Sequence, residues 1–138
     1  MLMRKTCRQN RRGMVVVETA VIAPIIAVVL MGMVQAGYLF MVRQTVIMAS
    51  REGARAGIVQ DATPSEVQAK VAQVMASAGM GSTGYTITSN MAALTPTTQE
   101  VWVDVSIPLT SVMFFTGNMF QSDAVNITSR VTMHREGA

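Results

Sequence analysis

The stretch that decides the fold of this chain is RRGMVVVETAVIAPIIAVVLMGMVQAGYLFMVR, residues 11–43. Glu18 is the only charged residue between Arg12 and Arg43, so residues 19–42 form an uncharged run rich in Val, Ile, Met, Ala and Leu. At a rise of ~1.5 Å per residue, a helix of this length spans about 36 Å, which exceeds the ~30 Å hydrocarbon core of a bilayer. The stretch therefore predicts one membrane crossing.

The charges on either side of the apolar run predict its orientation. Residues 1–13 contain five basic residues and no acidic residue, and basic flanks stay on the cytoplasmic side of a membrane. No second apolar run of ~18 residues follows Arg43. We therefore expect a single-pass protein with a cytoplasmic N-terminus and an extracytoplasmic C-terminal part.

The basic head also accounts for the positive net charge of the chain. The formal net charge is +3 at pH 7, but residues 14–138 contain six basic and eight acidic residues, a net charge of −2. No basic surface is then left for a phosphate backbone, so we expect no nucleic-acid partner. The single cysteine, Cys7, lies in the head, so the remainder of the chain has no disulfide.

The length of the apolar run and the presence of Glu18 distinguish three interpretations of the run. A secretory signal has an apolar core of roughly 7 to 15 residues, which this run exceeds. A plain signal anchor has no reason to carry a carboxylate, which costs up to roughly 2.5 to 3.5 kcal/mol at the centre of a membrane helix. A cut after Gly13 would instead create an α-amino group on Met14, largely protonated near neutral pH, that could pair with the Glu18 carboxylate of a neighbouring subunit.

This junction resembles the type IV prepilin class, and more closely the TadE-type minor pseudopilins of the tight-adherence (Flp) pilus system. The shared pattern is a basic leader, a glycine at the cut, an apolar helix and a glutamate five residues into the mature chain. In this sequence, the resemblance covers residues 11–58 and is carried by Arg12, Gly13, Val17, Glu18, Pro24, Gly32, Gly37 and residues 51–55.

The resemblance implies a processing pathway, a location and a set of partners. A prepilin peptidase of the bacterial inner membrane would cut between Gly13 and Met14, and Glu18 would register the helix during assembly. The implied partners are other pilins or pseudopilins, the inner-membrane pilus platform and membrane lipid. The family has no enzymatic activity of its own, and neither a cofactor nor a metal is expected.

Three segments follow from this interpretation: a cleaved basic leader (1–13), a transmembrane and assembly helix (14–58) and an extracytoplasmic α+β domain (59–138). Pro24 predicts either a kink, because it removes a backbone donor, or a tolerated bend. Ala49, Gly53 and Gly57 form a stripe of small residues at i, i+4 and i+8. The stripe would pack either on a neighbouring subunit or on the chain's own domain.

The domain pattern predicts a second helix followed by a small antiparallel sheet of about three strands. Thr63, Pro64 and Glu66 form a helix-start signal with a capping box, and Gly79 with Gly81 ends the helix. Alternating polar and apolar residues then mark three strands, near residues 85–90, 101–107 and 125–133. The predicted class is α+β, pilin-like, with one sheet face covered by the second helix and by the end of the first.

Two further features bear on function. The apolar segment from Met113 to Phe120 predicts either a core loop or an exposed docking patch. His134 is the only histidine, and no mature cysteine can join it in a metal site.

The sequence therefore favours a minor pseudopilin that assembles or primes a pilus. The alternative is an uncleaved single-pass membrane protein whose extracytoplasmic domain binds a partner.

Overall fold

The computed structural model describes residues 10–59, 61–93, 100–113 and 125–135. It contains two helices and three strands with short 3-10 turns between them, so the predicted α+β class is confirmed. The elements are α1 (Asn10–Gly57), α2 (Pro64–Ser77), β1 (Thr86–Ser89), β2 (Glu100–Pro108) and β3 (Asn126–His134). Internal contacts divide the chain into two units, one up to Gly37 and one from Tyr38 onward.

The first unit consists of the N-terminal part of α1. Every described side chain from Gly13 to Val34 is exposed, although most of them are apolar. By length and composition, α1 is the one helix of the described chain that could cross a membrane. An apolar surface of this kind needs lipid or another apolar partner around it, which agrees with the predicted membrane helix.

The second unit begins with the last five turns of α1, whose inner face is buried. Val42, Val46 and Ala49 are fully buried, and the Ser50 hydroxyl lies 2.9 Å from the carbonyl oxygen of Ser129 in β3. The packing of α1 on the sheet therefore begins close to Arg43, where the uncharged run ends. This is why the contacts divide α1 near Gly37 and not at its C-terminal end.

Helix α2 begins with the capping box that the sequence predicts. The Thr63 backbone N–H donates to Glu66 Oε2 at 3.0 Å, and the Glu66 N–H donates to Thr63 Oγ1 at 3.4 Å. The helix ends at Ser77, and Gly79 follows with a φ of +74°, a left-handed conformation that glycine adopts without strain. Its buried residues are Val67, Val71 and Met75.

The three strands form an antiparallel sheet in the order β1-β2-β3. Val103 of the central strand lies opposite Ser89 in β1 and Val131 in β3. The inward residues of β2 are all fully buried, whereas its outward residues are half-buried or exposed. This alternation is the one that the sequence pattern predicts, and it directs one face of the sheet towards α1 and α2.

The side-chain amide of Asn90, the residue after β1, bonds to the backbone of β2. Asn90 Nδ2 donates to the Glu100 carbonyl at 2.8 Å, and Asn90 Oδ1 accepts from the Trp102 N–H at 2.9 Å. The Asn90 side chain thus pairs one acceptor and one donor of the β2 backbone beyond the end of β1. β1 is only four residues long, so this amide extends the pairing of the central strand.

Several predicted features lie outside the described residues. They are residues 1–9 of the leader and the larger part of the Met113 to Phe120 segment, of which only Met113 is described. Met113 is half-buried, and Val112 before it is buried.

Candidate functional site

The candidate site lies near the N-terminal end of α1, at Gly13, Met14 and Glu18. Residues 14 and 18 are one helical turn apart on the same face of α1. The Met14 side chain is 75% exposed, and Glu18 is exposed as well. The chain therefore presents the predicted cut and the predicted assembly residue on one accessible surface.

Glu18 has no partner among the described residues, unlike the polar residue beside it. The Thr19 hydroxyl donates to the Val15 carbonyl at 2.8 Å, so its hydrogen bond is satisfied within the helix. No hydrogen bond or ion pair to the Glu18 carboxylate is formed within the described part of the chain. A carboxylate in an apolar helix is unfavourable unless it finds a positive or hydrogen-bonding partner, so Glu18 requires one from another molecule or from the membrane interface.

A shallow apolar groove begins one residue after Glu18. It is lined by the small residues Thr19, Ala23 and Ala27 at i, i+4 and i+8, and by a row of larger residues along one side, Ile22, Ile26 and Leu30. Glu18 is in the same helical row as Ile22 and Ile26, so it lies at the N-terminal end of the groove's edge. Small side chains in such a row let a second helix approach closely in a membrane.

Sequence reasoning missed this groove, although the signal was present. The small residues Thr19, Ala23 and Ala27 repeat every fourth position in the printed sequence. The later stripe of small residues, at positions 49, 53 and 57, lies outside the uncharged run.

That later stripe is buried within the second unit. Ala49, Gly53 and Gly57 are all buried, and a Cβ built on Gly57 would lie 2.9 Å from Val101 Cγ1. Of the two arrangements that the sequence left open, the structure shows packing on the chain's own domain. The stripe is not on a surface that a neighbouring subunit could reach.

Gly13 and Pro24 are placed within the continuous helix α1. A Cβ built on Gly13 would have no neighbour within 4 Å, so the chain's own packing does not require glycine there. Pro24 lies inside the helix without interrupting it. A proline at this position removes one intrahelical hydrogen bond, to the carbonyl of Ala20, and the predicted kink stays a prediction.

The described residues were compared with the ligand sets that metal sites require. They include no group of three or more His, Cys, Asp or Glu side chains that could hold a metal ion. His134 Nε2 lies 3.3 Å from Glu100 Oε1, with both side chains more than half exposed. An exposed pair of this kind is an ordinary surface contact.

The outer face of the sheet carries one further cluster of charged residues. Arg130 in β3 bonds to Asp104 Oδ2 through Nε at 3.2 Å and through a terminal guanidinium nitrogen at 3.1 Å. The same guanidinium lies 4.5 Å from the centre of the Trp102 ring. The other carboxylate oxygen of Asp104 is buried and has no hydrogen-bond partner among the described residues.

Comparison with known proteins finds a match in the first part of the chain. Residues 13–55 match the model of a protein family described as TadE-like protein. No curated protein and no solved structure matches the chain. The matched residues begin at Gly13 and include Glu18, Pro24, the groove and most of the buried stripe.

Proposed function

We propose that this chain, which carries a TadE-like segment at residues 13–55, is a minor pseudopilin that assembles or primes a tight-adherence (Flp-type) pilus. It is inserted in the bacterial inner membrane with its N-terminus in the cytoplasm. A prepilin peptidase cuts it after Gly13. The observation that carries the proposal is the Glu18 carboxylate, which has no partner among the described residues and lies in an exposed apolar helix one turn from Met14.

The role of Glu18 follows from the cost of a carboxylate in lipid. A membrane carboxylate costs up to roughly 2.5 to 3.5 kcal/mol at the helix centre and less near the interface. Processing creates a positive α-amino group on the Met14 of each subunit, and this group offsets the cost when it pairs with Glu18 of a neighbour. The pair forms at one relative height of the two helices, so it registers the subunits.

The groove of Thr19, Ala23 and Ala27 supports the same arrangement. A neighbouring pilin or pseudopilin helix lying in this groove passes directly beside Glu18, because the edge of the groove continues the Glu18 row. Close packing then holds the two helices together, and the charge pair selects their register. Membrane lipid covers the remaining apolar surface of α1.

Gly13 acts at the processing step. A Cβ at this position would meet nothing within the chain, so a substitution leaves the chain's own packing unchanged. The requirement for glycine therefore comes from the peptidase, which must bring its catalytic groups close to the backbone before the cut.

In this role the chain neither catalyses a reaction nor binds a cofactor, a metal or a nucleic acid. Its partners are the prepilin peptidase, other pilins or pseudopilins and the inner-membrane pilus platform. The domain after the membrane helix lies in the periplasm.

The intact mass of the protein from membranes of its native host tests the processing step. We expect a chain that begins at Met14. The Gly13→Leu variant should keep residues 1–13. Gly32→Leu is the matched control, because Gly32 lies in the same helix and also has nothing within 4 Å of an added Cβ; this variant should be cut normally.

A wild-type chain that still carries residues 1–13 would contradict the proposal. The protein would then be an uncleaved single-pass membrane protein with an extracytoplasmic partner-binding domain. Cleavage of Gly13→Leu at the same bond would contradict the role assigned to Gly13.

A further inference from the structure

The bond between Gly13 and Met14 lies within α1, which begins at Asn10. In an α-helix the N–H of each residue donates to the carbonyl four residues earlier, so the Gly13 carbonyl accepts from Val17 and the Met14 carbonyl from Glu18. Hydrolysis adds a hydroxyl group to the Gly13 carbonyl carbon, breaks its bond to the Met14 nitrogen and leaves a proton on that nitrogen. Water must therefore reach a carbon atom that the adjacent helical turns enclose. The helix has to open around this bond before the bond can be cut.

The residues beside the bond favour opening of the helix. Gly13 is followed by Met14 and then by three consecutive valines, Val15, Val16 and Val17. Glycine has the lowest helix propensity apart from proline, and a β-branched side chain loses rotamer freedom against the preceding turn. The first turn of α1 also contains no acidic residue, the type of residue that stabilises this end of a helix. Met14 is therefore the only good helix former among residues 13–17.

Packing within the chain does not compensate for this low propensity. The side chains of residues 15, 16 and 17 are 60%, 66% and 65% exposed. The other run of three consecutive β-branched residues in α1 is Thr45, Val46 and Ile47. Thr45 and Val46 are buried and Ile47 is half-buried. The packing of the domain therefore keeps the second run helical, whereas the first run is exposed.

We propose that Val15, Val16 and Val17 are positioning residues for the processing step. They keep the helix beside the Gly13–Met14 bond easy to open, so that the peptidase receives this bond in an extended conformation. The inference rests on the cut after Gly13 that is proposed above. The opening equilibrium enters the rate of processing directly, because only the open fraction of the chain is a substrate. The β-branch of each valine is the feature that matters, since leucine is also apolar but is a better helix former.

A comparison of leucine with isoleucine at positions 15, 16 and 17 tests the proposal. The two side chains contain the same atoms and differ in where they branch. Pulse labelling of the full chain in its native host, followed by intact mass, measures the half-time of processing. We expect the half-time to lengthen about threefold or more when all three valines are replaced by leucine, because each change adds helix propensity. Replacement of all three by isoleucine keeps the β-branch and should retain the wild-type half-time.

Val28 and Val29 provide the matched control for the leucine variant. They are exposed valines of the same helix, about three turns beyond the last of the three positioning valines. The double variant Val28→Leu and Val29→Leu should be processed at the wild-type rate, because the helix does not need to open there.

Amide hydrogen exchange measures the opening without the peptidase. The full chain is produced in a strain that lacks the peptidase, so that residues 1–13 are retained, and is purified in detergent micelles. The amides of residue 17 and Glu18 report on opening, because they donate to the Gly13 and Met14 carbonyls. In NMR spectra we expect about threefold slower exchange of these amides in the leucine variant, and no change in the isoleucine variant.

Equal half-times for the leucine and isoleucine variants would overturn the proposal. Slower processing of the leucine variant without slower exchange would also overturn it, because the peptidase would then contact the side chains directly. A wild-type chain that keeps residues 1–13 would reject the cut itself, and with it the proposed function. Normal cleavage of the wild-type chain, with equal half-times for the two variants, would reject the positioning role alone.

Discussion

A Cβ built on Gly53 would lie 2.7 Å from the Cγ2 methyl of Val71, and 3.2 Å from Cγ1 of Val103. Gly53 is therefore the point of close approach between α1, α2 and the central strand. Both neighbours are β-branched side chains with restricted rotamers, so they cannot move aside easily. The small residue lets three elements share one core.

We expect Gly53→Leu to destabilise the domain by about 1 to 3 kcal/mol, because an additional side chain overpacks this contact. Urea unfolding of the full chain in detergent, followed by the fluorescence of the single tryptophan, Trp102, would measure the change. Glu52→Leu introduces the same side chain at the adjacent exposed position and should change the stability by less than about 0.5 kcal/mol. Equal stability of the two variants would contradict the close packing.

A second prediction concerns Ser50, which links α1 to β3. Its buried hydroxyl lies 2.9 Å from both the Val46 and Ser129 carbonyl oxygens. The backbone of Ser129 also pairs with Val105 of β2. The Ser129 carbonyl therefore keeps its hydrogen bond within the sheet when the Ser50 hydroxyl is removed. We therefore expect Ser50→Ala to lower the free energy of unfolding by only about 0.5 to 1.5 kcal/mol.

Ser77→Ala is the control for Ser50. The Ser77 hydroxyl donates to the Val74 carbonyl at 2.8 Å, but this bond is exposed and lies within α2. Alanine is also the better helix former, so Ser77→Ala should be neutral or slightly stabilising in the same urea titration. A larger loss at Ser77 than at Ser50 would exclude a linking role for the Ser50 hydroxyl.

The third prediction tests the Asn90 amide, which both donates to β2 and accepts from it. Asn90→Ala removes two hydrogen bonds and should cost about 1 to 2 kcal/mol. Asn90→Asp keeps the acceptor for the Trp102 N–H but places a negative oxygen against the Glu100 carbonyl, so it should not restore stability. Recovery of wild-type stability by Asp, measured through the Trp102 unfolding curve, would show that the donated bond to Glu100 contributes nothing.

The features that could be predicted from the sequence depend on neighbours along the chain. The capping box of Thr63 and Glu66 spans four residues, and each strand follows from its own alternation. The role of Asn90 could not be predicted, because it depends on Glu100 and Trp102 returning beside it. The small-residue stripe was ambiguous for a related reason: its spacing suits a neighbouring helix as well as the chain's own sheet.

The same distinction applies to the candidate site: part of it could be predicted from the sequence and part could not. The positions of Gly13, Met14 and Glu18 follow from the order of basic, small and apolar residues, and the family match begins at the same glycine. The groove beside Glu18 could have been predicted, because the small residues Thr19, Ala23 and Ala27 repeat every fourth position in the sequence. The described residues offer Glu18 no partner, so what pairs with it cannot be predicted from this part of the chain.

The last prediction concerns Glu18 and separates assembly from processing. Glu18→Ala should leave the proposed cut after Gly13 intact, because that bond is one helical turn away, but it removes the carboxylate that we propose registers neighbouring helices. The loss of a charge pair in a medium of low dielectric constant costs about 2 kcal/mol or more, so we expect at least about a tenfold drop in pilus number. Electron microscopy of the cell surface would count pili, and intact mass would confirm processing in the same cells. Glu52→Ala is the matched control, because Glu52 is an exposed carboxylate of the same helix outside the uncharged run, and it should leave pilus number near normal. Normal piliation in Glu18→Ala with a correctly processed chain would refute the assembly role of Glu18.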